Sequence, residues 1–185
     1  SLVEEVVRRV EDLVRKNVRL NEEIVRRSED LVRRNVELNE ELVRRAEDLV
    51  RRIEELVKKI KDRRELERVL REIRRTLREL KRELEEINKR SKDESRRLND
   101  EVRRINEKSE EELKRLLDEL RKRPVDEELL RKVEKMIERV VRELKKSAKR
   151  VHDENRRSDE DAERSMERVE RVIERVERDI DRRLR

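Results

Sequence analysis

The chain has 185 residues, of which 58% are charged and 31% hydrophobic, and it contains no cysteine, glycine or aromatic residue. The absence of cysteine excludes disulfides and thiolate metal sites, and the absence of glycine excludes the phosphate-binding loop and the dinucleotide fingerprint. The 57 basic residues are interleaved with 51 acidic ones, for a net charge of +6, and no aromatic ring can stack on a base, so we expect no nucleic-acid partner.

The first predicted helix, about residues 2–61, is built on an 18-residue repeat. Residues 10–27 read VEDLVRKNVRLNEEIVRR and residues 28–45 read SEDLVRRNVELNEELVRR, with 14 of 18 positions identical. Eighteen residues close five turns of 3.6 residues, so each repeated residue returns to the same face of a helix. The apolar residues form one stripe along this face. The pattern therefore predicts a long, straight helix.

The second predicted helix, about residues 63–122, is recognised by a shift of the apolar stripe. On a common helical wheel, its centre lies about 160° from that of the first helix. A single continuous helix would therefore have to change its buried face at this point. A turn near Asp62 removes that conflict, because two helices can then bury their stripes against each other. Asp62 is the predicted N-cap, and Glu65 follows at the spacing of a capping box.

The third predicted helix, about residues 126–184, is separated from the second by the single proline. Pro124 disfavours helical backbone at Arg123, and Asp126 is the predicted N-cap of the next helix. Short turns make sequential helices antiparallel. We therefore predict an all-α fold: an elongated, coiled-coil-like, up-down-up three-helix bundle, a single domain over residues 1–185, with helices of about 60 residues each.

Asparagine and serine residues lie on or beside the stripe of each helix. If residue i of the first helix lies opposite roughly 122 − i of the second and i + 125 of the third, all of them fall in the middle of the bundle. An unpaired buried polar group costs about 1–3 kcal/mol, so we predict that they satisfy one another in structural hydrogen-bond networks that fix the register. The alternatives are a polar ligand cavity or water channel, or positions that are only half-buried. The predicted network comprises Asn17, Asn21, Ser28, Asn35, Asn39, Asn88, Ser91, Ser95, Asn99, Asn106, Ser109, Ser147, His152, Asn155, Ser158 and Ser165.

With this repeat, its asparagine pairs and the turn sequence RPVDEELL, the chain resembles de novo designed helical bundles of the parametric type with buried hydrogen-bond networks. The resemblance covers all 185 residues. Natural spectrin-like coiled coils also have three long helices, but they normally carry aromatic residues, glutamine and irregular spacing, which are absent here. The resemblance implies a synthetic protein made for structural specificity, without a natural substrate, cofactor or compartment.

The leading functional interpretation is a structural protein whose polar networks specify register and assembly, with no catalytic residue, metal or cofactor. His152, the single histidine, is interpreted as a network member and not as a catalyst. No partner is required; the chain is expected to bind no nucleic acid, membrane or small molecule, and to be soluble and cytoplasmic on recombinant expression.

One alternative is an interaction module, which forms a homo-oligomer or offers a groove to a designed partner helix. It is based on valines that widen the first stripe. These are Val14, Val18, Val25, Val32, Val36 and Val43. The other alternative is a conformational switch, with the first turn as its hinge.

Overall fold

A computed structural model describes all 185 residues, Ser1–Arg185, and three α-helices contain almost the whole chain. Helix α1 spans Leu2–Lys59, α2 spans Arg63–Arg121 and α3 spans Glu127–Leu184. The helices pack against one another as an all-α, up-down-up three-helix bundle, which confirms the predicted fold class. Their ends lie within two residues of the predicted ends.

Aspartate side chains cap both internal helix starts, as predicted. Asp62 Oδ1 accepts a hydrogen bond from Arg64 N at 3.2 Å, and Asp126 Oδ1 accepts one from Glu128 N at 3.4 Å. Glu65 forms no capping-box hydrogen bond in return. No residue has a positive φ angle, which explains why neither connection requires a glycine.

The contacts divide the chain into two compact units. Unit 1 comprises Ser1–Asp30 and Glu94–Asn155, and unit 2 comprises Leu31–Asp93 and Arg156–Arg185. Each unit therefore contains a segment of all three helices. The single domain expected from the sequence stays a prediction.

Each unit has its own apolar core. In unit 1, Leu113 and Leu144 are among the largest buried side chains at 0% and 1% exposure, and in unit 2 Leu77 and Leu84 are buried to 1% and 0%. Burying a side chain of this size contributes about 1.5–3 kcal/mol, so these clusters supply the main stabilisation of each unit. None of the three helices carries a segment long and apolar enough to cross a membrane.

Ion pairs on the outer surface form both within single helices and between different helices. Glu11 pairs with Arg15 at 4.0 Å, across the one-turn spacing that the sequence repeats. Glu47 instead reaches Arg168 of α3 at 3.0 Å. Exposed pairs of this kind contribute about 0–1 kcal/mol each, so they add little to the stability of the fold.

Candidate functional site: the buried polar layers

A chain of amide hydrogen bonds joins the three helices in unit 1. Asn21 Nδ2 donates to Asn17 O at 2.9 Å and to Asn106 Oδ1 of α2 at 2.9 Å. Asn106 Nδ2 in turn donates to Leu144 O of α3 at 3.1 Å. Asn17 and Asn21 are buried at 5% and 1% exposure. We call the polar residues at this level layer 1. Layer 1 consists of Asn17, Asn21, Asn106, Ser109 and Ser147.

Unit 2 contains a second arrangement of the same kind. Asn39 Nδ2 donates to Asn35 O at 2.7 Å and to Asn88 Oδ1 at 2.8 Å. Asn35 Nδ2 donates to Ser158 Oγ of α3 at 3.3 Å. We call this layer 2. Layer 2 consists of Asn35, Asn39, Asn88, Ser91, Ser158 and Ser165.

Layer 2 repeats layer 1 on every helix, at the spacing of the 18-residue repeat, which we call the repeat length. On α1 this shift relates Asn21 to Asn39, and on α2 it relates Asn106 to Asn88. Three further members correspond in the same way: Asn17 to Asn35, Ser109 to Ser91 and Ser147 to Ser165. Only Ser158 of layer 2 has no polar counterpart in layer 1. Because the repeat length is a whole number of helical turns, equivalent residues point in the same direction from their helices. The repeat therefore applies to the contacts between helices as well as to the sequence of α1.

An ion pair confirms that the repetition extends beyond the amides. Glu29 of α1 pairs with Arg150 of α3 at 2.9 Å in unit 1. The pair between Glu47 and Arg168 in unit 2 is the same contact one repeat length later on both helices.

A third polar group in unit 1 occurs only once. Ser28 Oγ donates to Asn155 Oδ1 at 3.3 Å, and Asn155 Nδ2 donates to Ser95 O at 3.2 Å. We call Ser28, Ser95 and Asn155 layer 3. The residues one repeat length before and after Ser28 are Val10 and Ala46, both buried and apolar, so layer 3 has no counterpart in the repeat.

Backbone carbonyl groups determine how the amides are oriented. Asn21 must direct Nδ2 towards Asn17 O, because a carbonyl oxygen can only accept a hydrogen bond. For the same reason Asn106 directs Nδ2 towards Leu144 O and offers Oδ1 to Asn21. Asn35 O fixes Asn39 in the same way. Several buried atoms of the layers have no hydrogen bond. They are Asn17 Nδ2, Asn21 Oδ1, Asn35 Oδ1, Asn39 Oδ1 and Ser95 Oγ.

The hydrogen bonds also give the register of the helices in each unit. Asn21 lies opposite Asn106 and Asn39 opposite Asn88, so residue i of α1 faces 127 − i of α2. The expected partner at roughly 122 − i was wrong by five positions. For α3, the paired residue numbers differ by 127 in unit 1 and by 123 in unit 2, on either side of the expected 125.

Not all predicted residues join the hydrogen bonds. His152 is exposed, and Asn99 is half-buried without a hydrogen bond, so neither belongs to a buried layer. Ser91, Ser147 and Ser165 lie at their layers but form no hydrogen bond with the amides, and Ser109 Oγ donates to Ile105 O at 2.6 Å within its own helix. Sequence reasoning missed the main-chain acceptors, of which Leu144 O is one.

A solvent-open cavity of about 530 Å³ lies between α2 and α3 in unit 1, and Asn99, Ala148 and His152 line it. The residues one repeat length away in unit 2 have longer side chains. Lys81 and Glu170 stand in place of Asn99 and His152 and form an ion pair at 3.6 Å, and Met166 stands in place of Ala148. Shorter side chains at repeated positions therefore account for the cavity.

The chemistry of these layers is that of neutral hydrogen bonding. Amides and hydroxyls are not nucleophiles without an adjacent base, and no base touches them. No group of three or more histidine, aspartate or glutamate side chains is placed to hold a metal ion. The arrangement can orient the helices relative to one another within each unit.

A solved structure described as "Computationally designed three helix bundle" is similar to this chain, at 19% sequence identity. The similarity covers 95% of this chain and 82% of that chain, with a TM-score of 0.39. No family model and no curated protein matches the chain.

Proposed function

We propose that the protein is a designed structural bundle without a natural biochemical activity, whose polar layers select the register of its helices. The observation that carries this proposal is the repeated amide pair, Asn21–Asn106 and Asn39–Asn88. The same shift by one repeat length on two antiparallel helices keeps both pairs in contact. A pattern made only to form helices would not need to preserve pairs across an interface.

The two layers act together against small displacements. If α2 slid along α1 by one turn, Asn21 and Asn39 would both lose their asparagine partners on α2. In one direction they would face the apolar Val102 and Leu84, and in the other they would face Ser109 and Ser91. Each buried polar group left unpaired costs about 1–3 kcal/mol, so the correct register is favoured by several such terms together.

The layers cannot exclude a displacement by one repeat length, because Asn21 would then meet Asn88. The connections between the helices prevent it. A shift of one repeat length along a helix is about 27 Å, whereas residues 60–62, which join α1 to α2, span at most about 11 Å. Layer 3 opposes the corresponding displacement of α3 along α1, because Asn155 would then face Val10 or Ala46 instead of Ser28.

The register proposal is tested by removing the amides of α1. In a variant with Asn17, Asn21, Asn35 and Asn39 replaced by leucine, we expect the free energy of unfolding to stay the same or rise. Leucine adds apolar burial on α1, and the amides left on α2, Asn88 and Asn106, are only half-buried and can hydrogen-bond to water. The distance between spin labels at positions 19 and 108, both exposed and in unit 1, should change from one narrow population to a broad or multiple one.

The matched control replaces four valines of the same helix with leucine. Val14, Val18, Val32 and Val36 are half-buried, and they are related by the same repeat length. This control adds apolar volume but keeps every amide, so the distance distribution should remain narrow. If the asparagine variant also keeps one narrow distance and an unchanged mass, the amides do not specify the register.

A second candidate function, the interaction module, has a different basis from the one expected. The valines proposed to face a partner are half-buried or buried within the chain itself, and Val25 and Val43 are only 8% and 2% exposed. The exposed apolar residues are instead Leu2, Leu38 and Leu56, at 62%, 43% and 39% exposure. They follow the repeat, with half-buried Leu20 between the first two, along one line of α1.

We expect this line of leucines to be too sparse for self-association. Single exposed leucines separated by five turns among charged residues do not form a continuous patch. Light scattering over a wide concentration range should therefore give a mass near 23.0 kDa throughout. A mass that increases with concentration, and returns to 23.0 kDa when Leu38 and Leu56 are replaced by glutamate, would support the interaction module instead.

A further inference from the structure

Layer 1 contains an unpaired donor and an unpaired acceptor on consecutive turns of α1. Asn17 Nδ2 and Asn21 Oδ1 are both buried and both lack a hydrogen bond. Their residues are 5% and 1% exposed. Cβ atoms one turn apart on a helix are about 5–6 Å apart, so the two groups are near neighbours.

The amide of Asn21 cannot rotate to remove the problem. Its Nδ2 already donates to Asn17 O and Asn106 Oδ1, and turning the amide would place its oxygen against two acceptors. Asn106 cannot turn either, because its Nδ2 donates to Leu144 O. Asn21 Oδ1 therefore requires a donor from another molecule or another residue.

The comparison with layer 2 shows why the donor of Asn17 is also free. The equivalent atom, Asn35 Nδ2, donates to Ser158 Oγ. The residue one repeat length before Ser158 is Val140, which is 2% exposed and has no hydroxyl group. Layer 1 thus lacks the one polar atom of α3 that satisfies its counterpart.

We propose that layer 1 binds a water molecule, which accepts a hydrogen bond from Asn17 Nδ2 and donates one to Asn21 Oδ1. Water has both roles in one molecule, and buried waters usually bridge polar groups that protein atoms leave unsatisfied. Two solvent-open cavities reach other members of the same layer. One, of about 530 Å³, is lined in part by Asn106, and one of about 410 Å³ between α1 and α3 is lined in part by Ser147.

The experiment compares crystal structures of the native chain and Val140→Thr, at a resolution that shows ordered water. The native chain should contain a water within hydrogen-bond distance of both Asn17 Nδ2 and Asn21 Oδ1. In Val140→Thr, a hydroxyl of nearly the same volume occupies the position equivalent to Ser158 Oγ and should displace that water. Cross-relaxation between water and the side-chain amide protons of Asn17, measured by NMR, should be present in the native chain and weaker in the variant.

Val133→Thr is the matched control, because Val133 is a buried α3 valine in the apolar core of unit 1. It should keep both the water and the cross-relaxation. The proposal is overturned if the native chain shows no water at this position and no cross-relaxation at Asn17. It is also overturned if the Asn17 and Asn21 side chains bond directly to each other.

Discussion

Replacing Asn21 with aspartate is expected to destabilise the protein by about 3–5 kcal/mol at neutral pH, as is usual for a buried charge without a partner. Asparagine and aspartate have nearly the same shape, so the change acts through hydrogen bonding and charge. Asn21 Nδ2 donates two hydrogen bonds, to Asn17 O and to Asn106 Oδ1. A carboxylate can only accept, so both acceptors would face a negative oxygen in a site that is 1% exposed.

The loss should depend on pH in a defined direction. Burial raises the pKa of the introduced carboxyl group above its unfolded value of about 3.9. The folded chain then binds this proton more tightly than the unfolded chain, so stability is retained below pH about 3.9 and falls as the pH rises towards the folded pKa. Urea unfolding at several pH values, with the native chain as reference at each pH, measures the difference.

Asn99→Asp provides the matched control for the same chemical change. Asn99 is half-buried, forms no hydrogen bond and faces the α2–α3 cavity, where Arg96 and Arg103 also line the wall. The same wall also carries Asp100, Glu107 and Glu110, so basic and acidic side chains are mixed there. A carboxylate at this position remains accessible to water, so its effect should stay within about 0.5 kcal/mol. Equal losses at the two positions would show that the hydrogen bonds of layer 1 do not determine the requirement for an amide at Asn21.

The sequence predicted which face of each helix is buried. The centre of the stripe on α1 contains Val10, Asn17, Asn21 and Ser28, and all four are at most 5% exposed. Periodicity gives this result because direction around a helix depends only on residue number. The same argument identified the turns, since a stripe that changes direction cannot remain on one straight helix.

The register between α1 and α2 could not be obtained from periodicity, and the reason lies in the direction of side chains. Each side chain leans towards the N-terminus of its own helix, and it covers a point about one residue before its Cα. On antiparallel helices the two leans are opposed, so facing residues such as Asn21 and Asn106 have a larger sum of residue numbers than a flat pairing gives. This explains the sign of the error and about two of the five positions.

The helices α1 and α3 run parallel, so their side chains lean in the same direction and the offset cancels. The expected difference of 125 in residue number accordingly falls between the observed 127 for Ser28–Asn155 and 123 for Asn35–Ser158. The sequence therefore supports register predictions for parallel neighbours better than for antiparallel ones.

The members of the site were only partly predictable. A search for the repeat length on α2 and α3, and not only on α1, would have related Asn88 to Asn106 and Ser147 to Ser165. The positions at the edge of a stripe, such as His152, could not be assigned, because a small rotation of a helix decides whether its edge is covered. The partners of individual atoms depend on distances that no helical wheel contains.

Exchanging the side-chain types at the equivalent positions Ser158 and Val140 tests how the amides of each layer obtain their hydrogen bonds. Ser158→Val should destabilise the protein by about 1–3 kcal/mol, although valine is more apolar, because Asn35 Nδ2 loses its acceptor while Asn35 remains buried at 5% exposure. Val140→Thr should change the free energy of unfolding by less than about 1 kcal/mol, because the new hydroxyl meets the free Nδ2 of Asn17. Thermal and urea unfolding of the two variants and the native chain measure both effects.

The decisive variant combines Ser158→Val with Asn35→Leu. If the loss in Ser158→Val comes from an unpaired amide, removing that amide should recover most of it, since replacing both partners by apolar groups is nearly neutral. The double-mutant cycle would then give a coupling energy of about 1–2 kcal/mol between the two positions. Independent, additive losses would instead mean that the serine is required for packing on α3. In that case the difference between Ser158 and the equivalent Val140 does not serve to give the amide of Asn35 a hydrogen-bond acceptor.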